Sequence, residues 1–216
     1  MSTIYTRQSP AWSSHLVVLA SAVALVTCLV TGVSAQDAID HGATGTLNHD
    51  YFAAIASPVG SHELWLVGDV QRNHLKPAIS DIAAGRYEAA RRDLEYLLQR
   101  FVNDPSGLFA MVTVGELTKQ PLTALPYFQV ALNLYPQYAL THAQYGMYLT
   151  KVGRPNEGLT SLQHAIEIDP SLAVSHAWLA DTYLQLGRRD LAQASAQRAQ
   201  ELGYRGKIAA EGSMTR

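Results

Sequence analysis

Residues 139–172 read ALTHAQYGMYLTKVGRPNEGLTSLQHAIEIDPSL, and residues 173–206 read AVSHAWLADTYLQLGRRDLAQASAQRAQELGYRG. The two stretches share a pattern with a period of 34 residues, in which Tyr145-Gly146 corresponds to Leu179-Ala180 and Val152-Gly153 corresponds to Leu186-Gly187. A fixed period of this length is typical of stacked helical pairs, each of which buries its apolar face only against its neighbours. The sequence therefore predicts an all-α solenoid whose function is a property of its surface.

Two further units precede this pair. Counting back by 34 from Ala139 reaches Pro105, and another step reaches Gln71. The earlier units keep the pattern at Ala78, Gly85, Tyr87, Ala90, Leu94, Ala124, Phe128, Ala131, Leu134 and Pro136. We therefore expect about four helix-turn-helix units, at 71–104, 105–138, 139–172 and 173–204, followed by a tail at 205–216.

Small residues recur where the two helices of a unit must approach closely. Those expected on first helices are Ala78, Gly146 and Ala180, and those expected to face them on second helices are Ala90, Ala124, Gly158 and Ala192. Larger side chains at these positions would hold the helix axes apart.

Glycine and proline give the expected helix ends. Gly85, Gly153 and Gly187 are placed to end first helices in the left-handed conformation. Pro121 and Pro155 are expected at helix starts. Pro126, in contrast, is predicted to lie beyond the first turn of a second helix and to kink it.

The N-terminus differs from the rest of the chain. An apolar run without charges extends from Leu16 to Val33, and small residues at Val33 and Ala35 fit a signal-peptidase site. We interpret residues 1–35 as an export signal, which places the protein in the periplasm. An uncleaved anchor in the inner membrane, with the repeats facing the periplasm, is the alternative, because about 18 apolar residues can span a bilayer.

Residues 36–70 form a lead-in without sustained periodicity. Its apolar residues, among them Tyr51, Phe52 and Trp65, favour a short helix that caps the first repeat. Its polar residues Asp37, Asp40, His41, His49 and Asp50 are typical of a solvated loop, with a binding site as the alternative.

Composition and motifs argue against several classes of function. The 216-residue chain has a formal net charge of −2 and no clustered basic stripe, so we do not expect it to bind nucleic acid. Its single cysteine, Cys28, lies in the apolar run, which leaves no thiol chemistry after cleavage. No nucleophile elbow, phosphate loop or metalloprotease helix is present, so we predict no catalytic residues and no cofactor.

Histidine recurs at one repeat position, at His74, His142 and His176. Equivalent residues of packed helices lie roughly 10 Å apart, which is too far for a shared zinc ion. We therefore interpret these histidines as packing or surface residues and predict no metal site.

The repeat pattern resembles the tetratricopeptide repeat family over residues 71–204, most clearly in the last two units. The resemblance implies a short right-handed superhelix whose first helices line a concave groove for a partner protein. Carried over by repeat position, the groove residues are Arg72, Leu75, Lys76, Ile79, Phe109, Thr113, Glu116, Leu140, Ala143, Gln144, Met147, Lys151, Trp178, Asp181 and Gln185. Only Arg72, Lys76 and Lys151 approximate the cations with which some family members grip a C-terminal carboxylate.

The groove has an apolar strip, which suits an amphipathic helix or an extended peptide with hydrophobic anchors. The strip residues Leu75, Ile79, Phe109 and Met147 equally fit packing between adjacent first helices. We expect a non-catalytic interaction scaffold, an accessory or assembly factor of the envelope. The alternatives are a homo-oligomer that uses the strip as its own interface, and an enzyme or solute-binding protein with a polar pocket near residues 37–66.

Overall fold

The computed structural model describes residues 47–209, and this part of the chain is built from α-helices. The helices are α1 Tyr51–Ile55, α2 His62–Val70, α3 Lys76–Ala83, α4 Tyr87–Arg100, α5 Pro105–Leu117, α6 Leu125–Leu134, α7 Ala139–Lys151, α8 Pro155–Ile168, α9 Ala173–Gln185 and α10 Arg189–Glu201. Among these residues no helix is long and apolar enough to cross a membrane. The predicted export signal, Asp37, Asp40, His41 and residues 210–216 lie outside the described residues.

Successive helices pack as a stack. Within units, α3 packs on α4, α7 on α8 and α9 on α10, and α4 packs on α5 and α8 on α9 between units. The buried residues form two clusters, a main core that extends from Ala54 to Leu149 and a second core in the last two units. Every small residue predicted at a helix approach is buried. The all-α fold predicted from the sequence is therefore confirmed for the described residues.

Helix approach is tightest in the third unit. A Cβ atom built on Gly146 would lie 2.6 Å from Leu162 Cγ and 2.8 Å from Gly158 O. One built on Gly158 would lie 2.7 Å from Gly146 O and 2.4 Å from Thr150 Oγ1. The two glycines are therefore needed together, because each lets the other's backbone come close.

The predicted helix ends are confirmed at Gly85, Gly153 and Gly187, which have φ angles of 75°, 84° and 72°. The predictions for two prolines are wrong. Residues 118–119 and 121–124 form turns, so Pro121 precedes the helix, and α6 begins only at Leu125. Pro126 therefore lies in the first turn of α6, where its missing N–H has no helical partner to lose, and it causes no kink.

The first unit is preceded by more helix than the repeat pattern indicates. A π-helical segment, Gln71–Leu75, joins α2 to α3, so one continuous helical segment runs from residue 62 to residue 83. Gln71 Nε2 in this segment donates to Asp104 Oδ2 at 2.9 Å. Asp104 also caps α5 by accepting from the N–H groups of Ser106 and Gly107, and its burial raises the pKa of its carboxyl.

The lead-in is fastened to the repeats by its polar residues. Asp50 caps α1 by accepting from Phe52 N, and it also accepts from Asn103 Nδ2 at 2.8 Å and from Tyr138 OH. The backbone N–H of His49 donates to Arg100 O at 2.7 Å. The lead-in residues His49 and Asp50 therefore dock the chain on the first two units.

Candidate peptide-binding groove

The first helices of the units, α3, α5, α7 and α9, lie side by side in the order of the chain. This row carries the groove residues that the repeat positions predict, apart from Arg72 and Leu75 in the π-helical segment. The structure separates these residues into exposed and buried sets, a distinction that repeat position alone does not make.

An open apolar cleft of about 500 Å³ lies between α3, α5 and α7. It brings together four predicted groove residues, Ile79, Phe109, Thr113 and Gln144. Repeat positions missed four more lining residues, Ile82, Pro105, Ser106 and Ala110. We call this site the apolar cleft.

Two large side chains form the exposed wall of the apolar cleft. Ile79 is 54% exposed and Phe109 is 47% exposed, so about half of each side chain is open to solvent. The hydroxyl group of Thr113, also in this cleft, donates to the backbone oxygen of Phe109 at 3.1 Å and so already has a hydrogen-bond acceptor. The wall therefore offers apolar surface to a ligand and few unpaired hydrogen-bonding groups.

The opposite wall is held in place by Gln144. Its Nε2 donates to Pro105 O at 2.7 Å and ties α7 to the start of α5. The side chain is buried, and its Oε1 has no partner among residues 47–209. Gln144 thus fixes the relative position of two helices that line the apolar cleft.

The other apolar residues of the predicted strip are packed. Met147 is only 6% exposed, and Leu75 lies against the main core. Ala143 is fully buried, Leu140 is half-buried, and Trp178 packs against the core of the last two units. Of the four strip residues, Leu75 and Met147 therefore follow the packing alternative.

The polar groove residues differ in their partners. Lys151 Nζ lies 2.6 Å from Glu116 Oε1, and this ion pair bridges α7 and α5. Asp181 Oδ1 accepts from the backbone N–H of Ala209 at 2.8 Å, because the chain folds back after α10 and buries Ile208. Gln185, Arg72 and Lys76 are exposed.

The histidines of the repeat have packing roles. His142 Nε2 lies 2.8 Å from Pro136 O, and His176 Nε2 lies 3.1 Å from Pro170 O, in equivalent places of two units. His74 Nδ1 lies 3.0 Å from Asp93 Oδ1. Within residues 47–209 no group of three His, Cys, Asp or Glu side chains is placed to hold a metal ion.

A second cleft lies between α4 and the turns before α6. Its lining residues are Arg91, Glu95, Gln120, Pro121, Leu122, Thr123, Pro126 and Tyr127. Arg91 is paired with Glu88 and Glu95, and Tyr127 OH also donates to Glu95. Burial beside this carboxylate raises the pKa of Tyr127 to about 12, so the phenol stays protonated. Neither this cleft nor the apolar cleft includes a residue between 37 and 66.

The packed small residues of the last unit, Ala177, Ala180, Ala192, Ala196 and Ala199, complete the pattern seen in the sequence. Residues 173–202 match the family model of the tetratricopeptide repeat. A comparison with curated proteins found no match.

Three solved structures, two of them described as TPR proteins, resemble this chain. PilF of Pseudomonas aeruginosa is 18% identical, with 63% of each chain covered and a TM-score of 0.51. A thermophilic TPR protein of Thermus thermophilus is 24% identical, with 62% of this chain and 74% of that chain covered and a TM-score of 0.49. YrrB, described as a TPR protein with an unusual peptide-binding site, is 22% identical, with coverages of 70% and 78% and a TM-score of 0.49. At 18% identity, the likeness to PilF concerns the fold alone.

Proposed function

We propose that this protein is a non-catalytic scaffold of the bacterial envelope that binds a helical or extended segment of another protein in its groove. The observation that carries the proposal is the apolar cleft, where Ile79 and Phe109 remain exposed although residues of the same strip are packed. A volume of about 500 Å³ lies within the range of about 300–1,000 Å³ that is usual for ligand pockets. The match of residues 173–202 to an interaction repeat supports the same function.

The location in the envelope follows from the sequence of residues 1–35. Their uncharged apolar run and the small residues at Val33 and Ala35 favour export. Whether the run is cleaved or kept as an anchor, the repeats face the periplasm. Sequencing the N-terminus of the protein purified from cells distinguishes the two cases.

Photo-crosslinking tests the binding surface directly. A photoreactive amino acid is placed at Ile79 or Phe109 in the apolar cleft and, as the matched control, at the exposed Gln163 on α8. We expect one partner to be captured from the cleft positions and not from the control. Equal capture at all three positions, or none, contradicts the proposal, and adducts of twice the chain mass indicate self-association instead.

A further inference from the structure

The turn between α1 and α2 exposes large apolar side chains. Val59, in the middle of this turn, is 97% exposed, Ile55 at the end of α1 is 44% exposed, and Trp65 in the first part of α2 is 58% exposed. Residues 51–61 include no charged side chain. We call the surface formed by residues 55–65 the apolar turn.

The exposure of Val59 follows from the backbone of the apolar turn. The N–H of Ser61 donates to Pro58 O at 3.0 Å, which closes a β-turn with Val59 and Gly60 at its two central positions. Gly60 has a φ angle of 87°, and the third residue of a type II turn requires a positive φ. Val59 therefore stands at the corner of the turn, with its side chain in solvent.

Both hydroxyl groups of the apolar turn already have hydrogen-bond partners. Ser57 Oγ donates to Ala53 O at 3.1 Å, and Ser61 Oγ accepts from Leu64 N at 3.2 Å. The backbone N–H of Ser57 donates to Ala54 O at 3.2 Å. These internal bonds lower the cost of removing the turn from water, because an unpaired polar group is expensive to place in hydrocarbon.

The apolar turn projects from the protein and is small. Neither of the two clefts described above includes any of its residues. Its partly exposed apolar side chains offer far less than the roughly 1,200–2,000 Å² that a stable protein interface buries. A lipid bilayer, in contrast, accepts a small projecting apolar surface without a complementary shape.

Residue type and place in the chain also favour a bilayer. Tryptophan is enriched at the boundary between membrane and water, because its ring is apolar and its indole N–H can remain hydrated. The only acidic residue of the apolar turn, Glu63, is exposed and lies on the α2 side of Val59. In the sequence, the uncharged apolar run from Leu16 to Val33, on which the envelope location is proposed, precedes α1.

We propose that the apolar turn inserts into the surface of a lipid bilayer, with Val59 deepest and Trp65 at the level of the headgroups. This inference rests on the envelope location in the proposed function and is independent of the apolar cleft. A contact of this size binds weakly, since stable attachment to a membrane takes two signals. The contact is therefore reversible unless the apolar run of residues 16–33 is kept as an anchor.

Fluorescence quenching by brominated lipids tests this inference on the full chain as it is purified from cells. Bromine on the acyl chains quenches a tryptophan only when the two are in close contact. The variant Trp12→Phe/Trp178→Phe keeps Trp65 as its only tryptophan, and Trp12→Phe/Trp65→Phe keeps Trp178, which packs against the core of the last two units. Each is mixed with vesicles of phosphatidylcholine and phosphatidylglycerol, with and without bromine, after circular dichroism has shown that it is folded.

We expect the brominated vesicles to cause a loss of emission from Trp65 and none from Trp178. Val59→Asp, added to the chain that keeps Trp65, should restore the emission, because a charge is costly in hydrocarbon. Leu122→Asp is the matched control, at a 56% exposed apolar residue of another turn, and should leave the loss unchanged.

Three results would overturn the inference: no loss from Trp65, an equal loss from Trp178, or the same loss after Val59→Asp. Any of these results would leave the proposed binding of a partner standing, because the photo-crosslinking test of the apolar cleft does not depend on the membrane.

Discussion

Gly146 shows how one small residue sets the distance between two helices. A Cβ atom there would lie 2.6 Å from Leu162 Cγ and 2.8 Å from the backbone oxygen of Gly158, which cannot move independently. We expect Gly146→Ala to lower the free energy of unfolding by about 1–3 kcal/mol, and Gly146→Leu by more, because the contact is overpacked.

Gly68→Ala is the matched control for that change. Gly68 is also helical, but a Cβ atom there would meet only Arg72 Nη2, at 3.8 Å. Alanine is the better helix former, so this variant should be neutral or more stable by up to about 1 kcal/mol. Chemical denaturation measures both variants, and equal effects would contradict the packing explanation.

His142 makes stability depend on pH. Burial, aided by the neighbouring His164 ring, lowers the pKa of His142 in the folded chain. The unfolded chain therefore takes up the proton first, so stability falls as the pH drops below about 6.5 and levels off below the folded-state pKa. The neighbouring His164 is itself paired with Glu167.

We expect the melting temperature to fall less in His142→Gln than in the wild type between about pH 7.5 and about pH 5.5. His164→Gln is the comparison variant, because it removes the neighbouring imidazole ring and leaves His142 in place. An identical fall in the wild type and in His142→Gln would show that this histidine is not the source.

Among the helices, the docking of α1 depends on one carboxylate. Asp50→Ala removes the cap of α1 and leaves Asn103 Nδ2 and Tyr138 OH without their acceptor. Ser61→Ala removes a cap from α2 alone, through its bond to Leu64 N, and should cost about 1 kcal/mol. We expect Asp50→Ala to cost more than Ser61→Ala and to speed hydrogen exchange at residues 51–55. A similar loss of unfolding free energy in the two variants would mean that the hydrogen bonds of Asp50 to Asn103 and Tyr138 add no stability beyond that of the helix cap.

The sequence predicted some elements better than others, for physical reasons. The third and fourth units were recognised because close approach demands small residues at Gly146, Gly158, Ala180 and Ala192, and this demand is visible in the chain. The continuous helical segment from α2 through to α3 was not predicted. A sequence period identifies only the elements that recur in each unit, and α2 precedes the first unit. The docking of Asp50 was missed because its partners Asn103 and Tyr138 lie 53 and 88 residues away.

The candidate site was predicted only in part. Repeat position identified Ile79 and Phe109, but it gave Met147 the same status although that side chain is buried. Exposure depends on how far neighbouring first helices stand apart and slide past one another, which no local pattern encodes. The role of Gln144 in holding Pro105 likewise requires the two helices to be in place.

At the level of the whole stack, stability should be mainly a matter of neighbouring units. A chain that ends at Leu172 loses the last unit and also the tail, whose Ile208 packs into the core of the last two units. We expect it to keep the helical circular dichroism of the first three units but to be less stable and less soluble, because the faces of α7 and α8 are uncovered. Complete loss of the helical signal would show that the stack folds only as one block.

We propose that the apolar cleft binds a partner segment, and methyl NMR of the isoleucine side chains tests this most directly. Among the described residues, Ile79 and Ile82 line the apolar cleft, whereas Ile55, Ile166, Ile168 and Ile208 do not. On addition of a synthetic peptide that copies the partner segment captured at Ile79 or Phe109, we predict shifts at Ile79 and Ile82 and unchanged signals at these four. Shifts confined to Ile55, Ile166, Ile168 or Ile208 would place binding elsewhere and contradict the proposal.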